Sequence, residues 1–352
     1  MQRRCGAIVV ACASLALPAT AAAASKTVYS GGPGKFQSQI SNKYSTGVDG
    51  FLLSRVTIDV GDTVVWDAKS RSNGFHSVDF PRKGGPDVPL MRPIGNTESS
   101  VGDAAGNPFW FNGHAPKIGF NPALLSASNG GTYDGSTRIE SGLPVGKVSD
   151  FKLKFTKPGV YKYFCDVHRG MVGFVVVRKK GQAVPSARDD KKALAKQEAA
   201  YVAGSKKLIK TKVSGPNVSL GVVGAAGLEA YAMFPDKLSV KTGTTVTFAM
   251  AKNTRELHTA TFGPKRYVDA LANQFGNSPV FPGNAVYASD PPGTITETPT
   301  SHGNGFVNTG ALDRDSTTPL PPSGRIKFTT PGTYNFICLL HPFMKGTVVV
   351  TP

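Results

Sequence analysis

Cysteine is scarce in this chain of 352 residues, which contains only Cys5, Cys12, Cys165 and Cys338. A framework of several disulfides is therefore excluded. Cys5 and Cys12 lie so close to the N-terminus that we expect the mature protein to lack them. The two remaining thiols lie far apart in the sequence and need a separate explanation.

Long apolar runs and several common catalytic motifs are also missing. Beyond the first 24 residues, no segment approaches the roughly 18 consecutive apolar residues of a membrane-spanning helix. Gly-x-Ser-x-Gly, P-loop and His-Glu-x-x-His patterns are absent as well. A hydrophobic fraction of 40% and a charged fraction of 18% exclude disorder of the whole chain. Forty glycines and 26 prolines indicate the many turns of an all-β protein.

The N-terminus has the three parts of a secretory signal peptide. Two arginines precede an apolar stretch, and four alanines end it at Ala24. We therefore predict a signal peptide over residues 1–24, cleaved near Ala24, and a secreted, periplasmic or cell-envelope exterior location. A membrane anchor is disfavoured because the apolar run is short. Lipoprotein processing at Cys12 is disfavoured for the same reason.

Much of the basic excess lies in one segment. The formal net charge is +17 at pH 7, and residues 178–212 contain 11 Lys and Arg against 3 Asp and Glu. Because an exported protein rarely meets nucleic acid, that partner is disfavoured. The segment favours contact with an anionic surface or an acidic protein. A solvated linker that keeps the protein soluble accounts for it equally well.

The chain contains two copies of one unit. Residues 56–66 align without a gap with residues 238–248, and the same register places His76 on His258. Further along, residues 155–165 align with residues 328–338. Each copy then continues with Cys-x-x-His-x-x-Met-x-Gly and a β-branched run. This pattern is typical of a tandem duplication.

Local patterns predict an all-β fold with two domains. Apolar and polar residues alternate at the start of each copy, and Pro-Gly pairs mark turns, so we predict β-sandwiches over 25–178 and 218–352. Residues 179–217 between them form a basic linker, predicted to be partly helical, with Ser186 as a helix cap.

Each copy also carries a long turn-rich stretch, over residues 77–150 and 259–325. Stretches of this length are usually functional or ordered against a neighbour. They contain the remaining histidines, His114 and His302.

The repeated motif carries the set of side chains that a metal ion requires. A Cys, a His and a Met within seven residues can reach one ion when the loop joins two strands, and the upstream His supplies a second imidazole. Two His and one Cys with a weak axial Met is the blue-copper electron-transfer arrangement. The predicted metal ligands are His76, Cys165, His168 and Met171 in the first copy, and His258, Cys338, His341 and Met344 in the second.

Roles without copper fit the two cysteines less well. As buried apolar thiols, or as a single disulfide between Cys165 and Cys338, they would leave the matched His and Met residues unexplained. A structural zinc site would use more Cys or His and would not use Met.

At these residues the sequence resembles the cupredoxin family, particularly its plastocyanin and amicyanin branch. The short Cys-x-x-His-x-x-Met spacing is most similar to amicyanin. The resemblance covers residues 45–178 and 218–352, and it is specific at the strand flanking each upstream His and at the Cys-to-Gly loop. It implies Greek-key β-sandwiches, each with one type 1 copper at one end, held by the eight residues named above.

The resemblance also implies a route for electrons. In cupredoxins the His of the loop reaches the surface and acts as an electron port, and the matching residues are His168 and His341. Arg169 beside the first and Pro342 with Phe343 beside the second suggest different partners or potentials, although drift between duplicated loops accounts for the difference equally well.

Enzymes with related domains, the copper nitrite reductases and small laccases, have a His directly before the Cys and carry His-x-His pairs. Here Phe164 and Ile337 precede the cysteines, and the chain has no His-x-His. We therefore expect a copper electron carrier rather than an enzyme, with redox partner proteins still to be identified. Two alternatives stay open: a nitrite reductase-like oxidoreductase with an inter-subunit type 2 copper at His114 or His302, and copper capture or delivery.

Overall fold

A computed structural model describes residues 24–81, 89–97, 101–125, 128, 130–275, 279–316 and 318–352. The predicted signal peptide lies outside these residues except for Ala24. In the part of the chain that the structure describes, no helix combines the length and apolarity needed to cross a membrane.

The first half of the chain forms a β-sandwich. One sheet has the strand order β3-β1-β5-β11-β9 and the facing sheet β10-β6-β12-β13-β4, while β7 and β8 pair separately. The strands are β1 (Ser25–Ser30), β2 (Thr46–Val48), β3 (Phe51–Leu52), β4 (Arg55–Asp59), β5 (Thr63–Trp66), β6 (Asp79–Phe80), β7 (Met91–Thr97), β8 (Pro116–Phe120), β9 (Gly131–Tyr133), β10 (Ile139–Glu140), β11 (Phe151–Phe155), β12 (Gly159–Phe164) and β13 (Val172–Arg178).

The second half forms a sandwich with the same order of equivalent strands. Its sheets run β19-β21-β17-β14-β15 and β20-β18-β22-β23-β16. The strands are β14 (Asn217–Val223), β15 (Leu228–Phe234), β16 (Lys237–Lys241), β17 (Thr245–Met250), β18 (Thr261–Phe262), β19 (Thr294–Glu297), β20 (Val307–Asn308), β21 (Ser323–Phe328), β22 (Gly332–Ile337) and β23 (Lys345–Thr351). The predicted all-β class, two sandwiches joined by a partly helical linker, is confirmed.

The helices lie outside the sandwiches. They are α1 (Gly34–Tyr44), α2 (Ala68–Asn73), α3 (Ala187–Leu208), α4 (Lys265–Phe275) and α5 (Gly283–Val286). The linker helix α3 begins after Ser186, whose hydroxyl accepts a hydrogen bond from the backbone N–H of Asp189 at 3.3 Å. Tyr201 of α3 packs against a buried cluster that includes Ile40 of α1 and Leu228 of β15, and this packing holds α3 on both elements.

Alternation along the strands directs matching aromatic side chains into both cores. Equivalent positions are occupied by Trp66, Phe80 and Tyr163 in the first core and by Phe248, Phe262 and Phe336 in the second. The ring centroids of Trp66 and Tyr163 lie 5.2 Å apart, and those of Phe248 and Phe336 also lie 5.2 Å apart. Both pairs meet edge to face, the arrangement that aromatic quadrupoles favour.

The glycine of each repeated motif makes room for one of these rings. Gly173 pairs with Tyr163 across β12 and β13, and Gly346 pairs with Phe336 across β22 and β23. A Cβ atom at Gly173 would lie 2.2 Å from Cζ of Tyr163, and one at Gly346 would lie 2.3 Å from Cζ of Phe336. The aromatic ring therefore packs directly on the glycine backbone.

One strand of the first half belongs to the sheet of the second. β2 forms the edge of that sheet by pairing antiparallel with β15, with Val48 opposite Leu228 and Thr46 opposite Ala230. This pairing joins the two halves through backbone hydrogen bonds as well as through side chains.

The two turn-rich stretches pack on each other. The backbone N–H of Phe120 donates to the carbonyl of Pro279, and that of Phe281 donates to Ile118, both at 2.9 Å. Together the stretches form a third hydrophobic core that includes Phe111, Ile118 and Phe275. Each stretch is therefore ordered against a neighbour, and that neighbour is its counterpart in the other copy.

Candidate metal centres

In the first half, three of the predicted ligands converge at one end of the sandwich. Nδ1 of His76 lies 2.8 Å from Nδ1 of His168, and Sγ of Cys165 lies 3.5 Å from the same His168 nitrogen. All three side chains are buried.

The second half repeats the arrangement. Nδ1 of His258 lies 3.2 Å from Nδ1 of His341, and Sγ of Cys338 lies 3.6 Å and 3.8 Å from these two nitrogens. Metal bonds of about 2.0 Å to imidazole nitrogen and about 2.3 Å to thiolate sulfur would separate the ligand atoms of a trigonal site by roughly 3.5 Å. The sulfur-to-nitrogen distances of 3.5 to 3.8 Å match this value, whereas the nitrogen-to-nitrogen distances of 2.8 Å and 3.2 Å are shorter. The residues present fit a single ion bound by two imidazoles and a thiolate once the two rings of each site separate by a few tenths of an ångström.

Identical backbone hydrogen bonds shape the two loops. The N–H of Cys165 donates to the carbonyl of Met171 at 3.0 Å, and that of Cys338 donates to Met344 at 3.1 Å. Within each loop, the N–H of the Met donates to the carbonyl of the loop His. These bonds close a tight turn between two strands and place Cys and His side by side. Met171 and Met344 are buried in the same hydrophobic clusters as the cysteines.

The residue after each upstream His also supports the site, although the repeated metal-ligand motif does not include it. The backbone N–H groups of Ser77 and Thr259 donate to the neighbouring cysteine sulfur, both at 3.4 Å. The hydroxyl of Thr259 accepts from the N–H of Leu339 at 2.9 Å, as that of Ser77 does from Asp166 at 2.8 Å. The signal in the sequence was a hydroxyl residue after His in both copies.

These surroundings favour the thiolate form of the cysteines. Burial alone raises the pKa of a thiol, but hydrogen bonds from His258 and His341 lower the pKa of Cys338 to about 5. The pKa of Cys165 also lies well below its ordinary value, because the charge of His168 outweighs burial. A thiolate is the form that binds metal.

The predicted surface position of His168 is wrong. Its side chain is only 2% exposed, because the second half of the chain covers it. Arg169, next to His168 in the sequence, forms an ion pair with Asp315 of the second half at 2.7 Å. His341 is 19% exposed, and Phe343 next to it is 64% exposed.

A carboxylate between the two halves faces both loop histidines. Oε1 of Glu256 lies 2.8 Å from Nε2 of His168, and its Oε2 lies 3.7 Å from Nε2 of His341. The hydroxyl of Tyr231 lies 3.0 Å from Oε1 of Glu256 and 2.8 Å from Oδ1 of Asp49. Burial alone raises the pKa of Glu256, but the charge of His168 and the hydrogen bond to it hold that pKa below its ordinary value.

A cavity of about 1070 Å³ adjoins this carboxylate. Its walls come from both halves of the chain and include His76, His168, Glu256 and His341 as well as Phe343. Most of the remaining lining residues are apolar.

The two remaining histidines lie elsewhere. His302 lies between two carboxylates, with Nδ1 3.2 Å from Asp103 and Nε2 3.1 Å from Asp290. His114 is exposed on the surface. Within the described residues, neither belongs to a group of three side chains that could share one ion.

Known proteins match the chain over part of its length. No family model matches the chain. Amicyanin-alpha of Methylorubrum extorquens is 42% identical over 52 residues, which is 14% of this chain and 44% of the relative, so the chain spans less than half of that relative's length. The fold is cupredoxin-like.

Several solved structures are similar to part of this chain. A plastocyanin of Dryopteris crassirhizoma is 24% identical, with 38% of this chain and 99% of that chain covered and a TM-score of 0.22. An amicyanin mutant in its Cu(I) form is 18% identical, with 40% and 86% covered and a TM-score of 0.21. Auracyanin B is 21% identical, with 39% and 87% covered and a TM-score of 0.25.

Proposed function

We propose that this chain is an exported copper-binding electron-transfer protein with one type 1 site in each half. The observation that carries the proposal is the twofold convergence of a buried thiolate and two imidazole nitrogens, each at the end of a cupredoxin-like sandwich. The ligands would be His76, Cys165, His168 and Met171 in the first site, and His258, Cys338, His341 and Met344 in the second. Copper held there would cycle between Cu(I) and Cu(II) and carry one electron per site.

The protein's own groups favour rapid transfer. The proposed ligand side chains are buried except His341, which is 19% exposed, and backbone hydrogen bonds fix the loops that carry the Cys, His and Met residues, so we expect little movement when the charge of the site changes. The N–H groups of Ser77 and Thr259 stabilise negative charge on the sulfur, and they do so in both charge states. Electron transfer is favoured over catalysis because Phe164 and Ile337 precede the cysteines, at the position where the copper enzymes with related domains have a His.

Copper titration with electron paramagnetic resonance tests this function. We expect two copper ions per chain, both with a blue thiolate band. Cys165→Ser should remove the share of the first site only, and Cys338→Ser, its matched control, the share of the second. A protein that binds copper without a blue band would contradict the type 1 assignment. An additional normal-type signal would favour the oxidoreductase alternative.

Export is part of the proposal and rests on the N-terminal pattern of residues 1–24. It predicts a mature protein that begins close to Ser25 in the cell envelope or medium. Mass spectrometry of the protein from fractionated cells tests this, and a cytoplasmic chain that retains residues 1–24 would contradict it.

We further propose that the basic linker contacts an anionic surface or an acidic protein. The α3 helix has mostly exposed side chains, and its last turn carries Lys206 and Lys207. Binding to vesicles that contain anionic lipid, weakened by salt and absent with neutral vesicles, is the expected result for an anionic surface.

A further inference from the structure

Both loop histidines direct their outer nitrogen at the same carboxylate. In His168 and His341, Nδ1 belongs to the proposed ligand set, so Nε2 is the atom that faces away from the metal. These two Nε2 atoms lie 2.8 Å and 3.7 Å from the two oxygens of Glu256. A metal-binding His usually donates its other N–H to a carboxylate, and here a single carboxylate lies within reach of two such groups.

The chain holds this carboxylate in place from both halves. Backbone pairing between β2 and β15 brings Asp49 and Tyr231 together, and the Tyr231 hydroxyl lies 3.0 Å from Oε1 of Glu256. The backbone N–H of Glu256 donates to Oγ1 of Thr254 at 3.2 Å, which fixes the main chain that carries this side chain. The Glu256 side chain is only 11% exposed, so its position depends on these contacts rather than on water.

The two copies differ at the position of Glu256. Glu256 precedes His258 by two residues, and the equivalent residue before His76 is Gly74. A Cβ atom at Gly74 would lie 2.1 Å from Nε2 of His76, so the first half has no room for a side chain there. One copy therefore supplies the carboxylate that both loop histidines face.

The two loop histidines also differ in their exposure to solvent. His168 is closed off from solvent, whereas His341 is partly exposed beside Phe343. An electron that leaves the first site through His168 meets Glu256 and the second half before it meets the surface.

We propose that Glu256 joins the two sites into one electron-transfer route, from His168 through the Glu256 carboxylate to His341. This inference rests on the proposed function. One electron passes from the copper site that is reduced to the one that is oxidised. The donor site is thereby oxidised and the acceptor site is reduced. No proton moves, because the Nε2 hydrogens remain on the histidines. An external one-electron donor protein and an acceptor protein supply and remove the electron.

The geometry favours this route because tunnelling weakens much more steeply across gaps than along bonds. The path contains two through-space steps, the 2.8 Å and 3.7 Å separations, and is otherwise bonded within the two imidazoles and the carboxylate. Replacing the carboxylate by an alkyl group would remove its hydrogen bond to His168.

The test measures electron redistribution between the sites after one-electron reduction by pulse radiolysis. Met344→Gln serves as the background, because replacing this proposed thioether ligand by an amide would give the second site a distinct spectrum. In that background Glu256→Leu is compared with Glu229→Gln. Glu229 is a matched control because its Oε1 lies 3.8 Å from Nε2 of His258, near the second site but outside the route.

We expect Glu256→Leu to slow redistribution about tenfold or more, and Glu229→Gln to change it less than about twofold, with two blue copper ions per chain in each variant. A second readout uses metal-free protein. The His168 Nε2–H resonance should show a carboxylate-bonded proton, which Glu256→Leu abolishes and Glu229→Gln retains.

An unchanged redistribution rate in Glu256→Leu with both sites blue would overturn the route. Failure of the proposed function is distinct, since it would appear as absent blue copper while the metal-free resonance still reports the His168 contact. A third copper bound by Asp49, His168 and Glu256 would also overturn the proposal, because a metal would replace the hydrogen bond. If Glu256→Leu fails to fold, Glu256→Met, which keeps the length of the side chain and also removes the hydrogen bond to His168, is expected to slow redistribution, and an unchanged rate would overturn the route.

Discussion

Replacing Gly173 by alanine should destabilise the first sandwich. Gly173 is the glycine of the repeated motif, and the ring of Tyr163 lies on its Cα. The added Cβ would be 2.2 Å from Cζ of that ring, whereas ordinary contacts of a Cβ begin near 3.4 Å. The ring and the strand must therefore separate by more than an ångström.

The ring of Tyr163 has little freedom to move. Its centroid lies 4.7 Å from that of Phe51, 5.2 Å from Trp66 and 5.0 Å from Phe80, and it is fully buried. Overpacking of a well-filled core costs about 1–3 kcal/mol. Because every neighbour is itself a packed ring, we expect Gly173→Ala to lower the free energy of unfolding by about 3 kcal/mol, the upper end of that range.

Urea unfolding followed by tryptophan fluorescence measures this cost. The chain has two tryptophans, so in a Trp110→Phe background the emission comes from Trp66 in the first core. Gly159→Ala is the matched control on the same hairpin, because its Cβ would lie 3.4 Å from the nearest ring atom of Tyr161. We expect that control to stay within about 0.5 kcal/mol of the parent.

A double-mutant cycle identifies the cause. In a Tyr163→Leu background the clash is relieved, so Gly173→Ala should cost about 2 kcal/mol less than it does beside the tyrosine ring. Equal costs in the two backgrounds, or a cost no larger than that of Gly159→Ala, would refute the packing argument.

Three further predictions concern separate parts of the molecule. Burial raises the pKa of Glu297 from 4.5 to about 8, so the fold favours its protonated form and the free energy of unfolding should fall as pH rises across that interval. Glu297→Gln should flatten this slope in denaturation series, and an unchanged slope would contradict the assignment. Thr259→Val removes the hydroxyl that accepts from Leu339 and should weaken copper binding in titrations about tenfold, whereas Thr259→Ser should not. Ser186→Ala should lower the stability of α3 by about 1 kcal/mol, seen as faster amide exchange near Asp189, while Ser186→Thr preserves protection.

The sequence predicted those parts of the fold that depend on residues close together in the chain. Alternating strands, the Pro-Gly turns and the cap at Ser186 each depend on neighbours within a few residues. The proposed ligand residues could be named from the sequence because the motif occurs twice and the spacing from Cys to His to Met places all three on one loop. The convergence of His76 with Cys165 and His168 followed from the duplicated register.

Contacts between the halves were not predictable in this way. Glu256 is an ordinary acidic residue in the sequence, and only the packing of two sandwiches gives it two histidine neighbours. The expected surface port at His168 came from single-domain relatives, in which no second sandwich covers the loop. The transfer of β2 to the other sheet was missed for the same reason, since its alternation does not reveal which sheet it joins.

The pairing of β2 with the sheet of the second half sets an order of events during synthesis. Val48 leaves the ribosome 180 residues before its partner Leu228, a delay of roughly 10–40 s at ordinary elongation rates. The first sandwich can close during that time, but β2 has no partner until the second sheet exists. Because β2 contains only three residues, the open edge offers little template for wrong pairing. The contact of Glu256 with His168 and His341, which needs both sandwiches, is consequently a late step in the folding of the newborn chain.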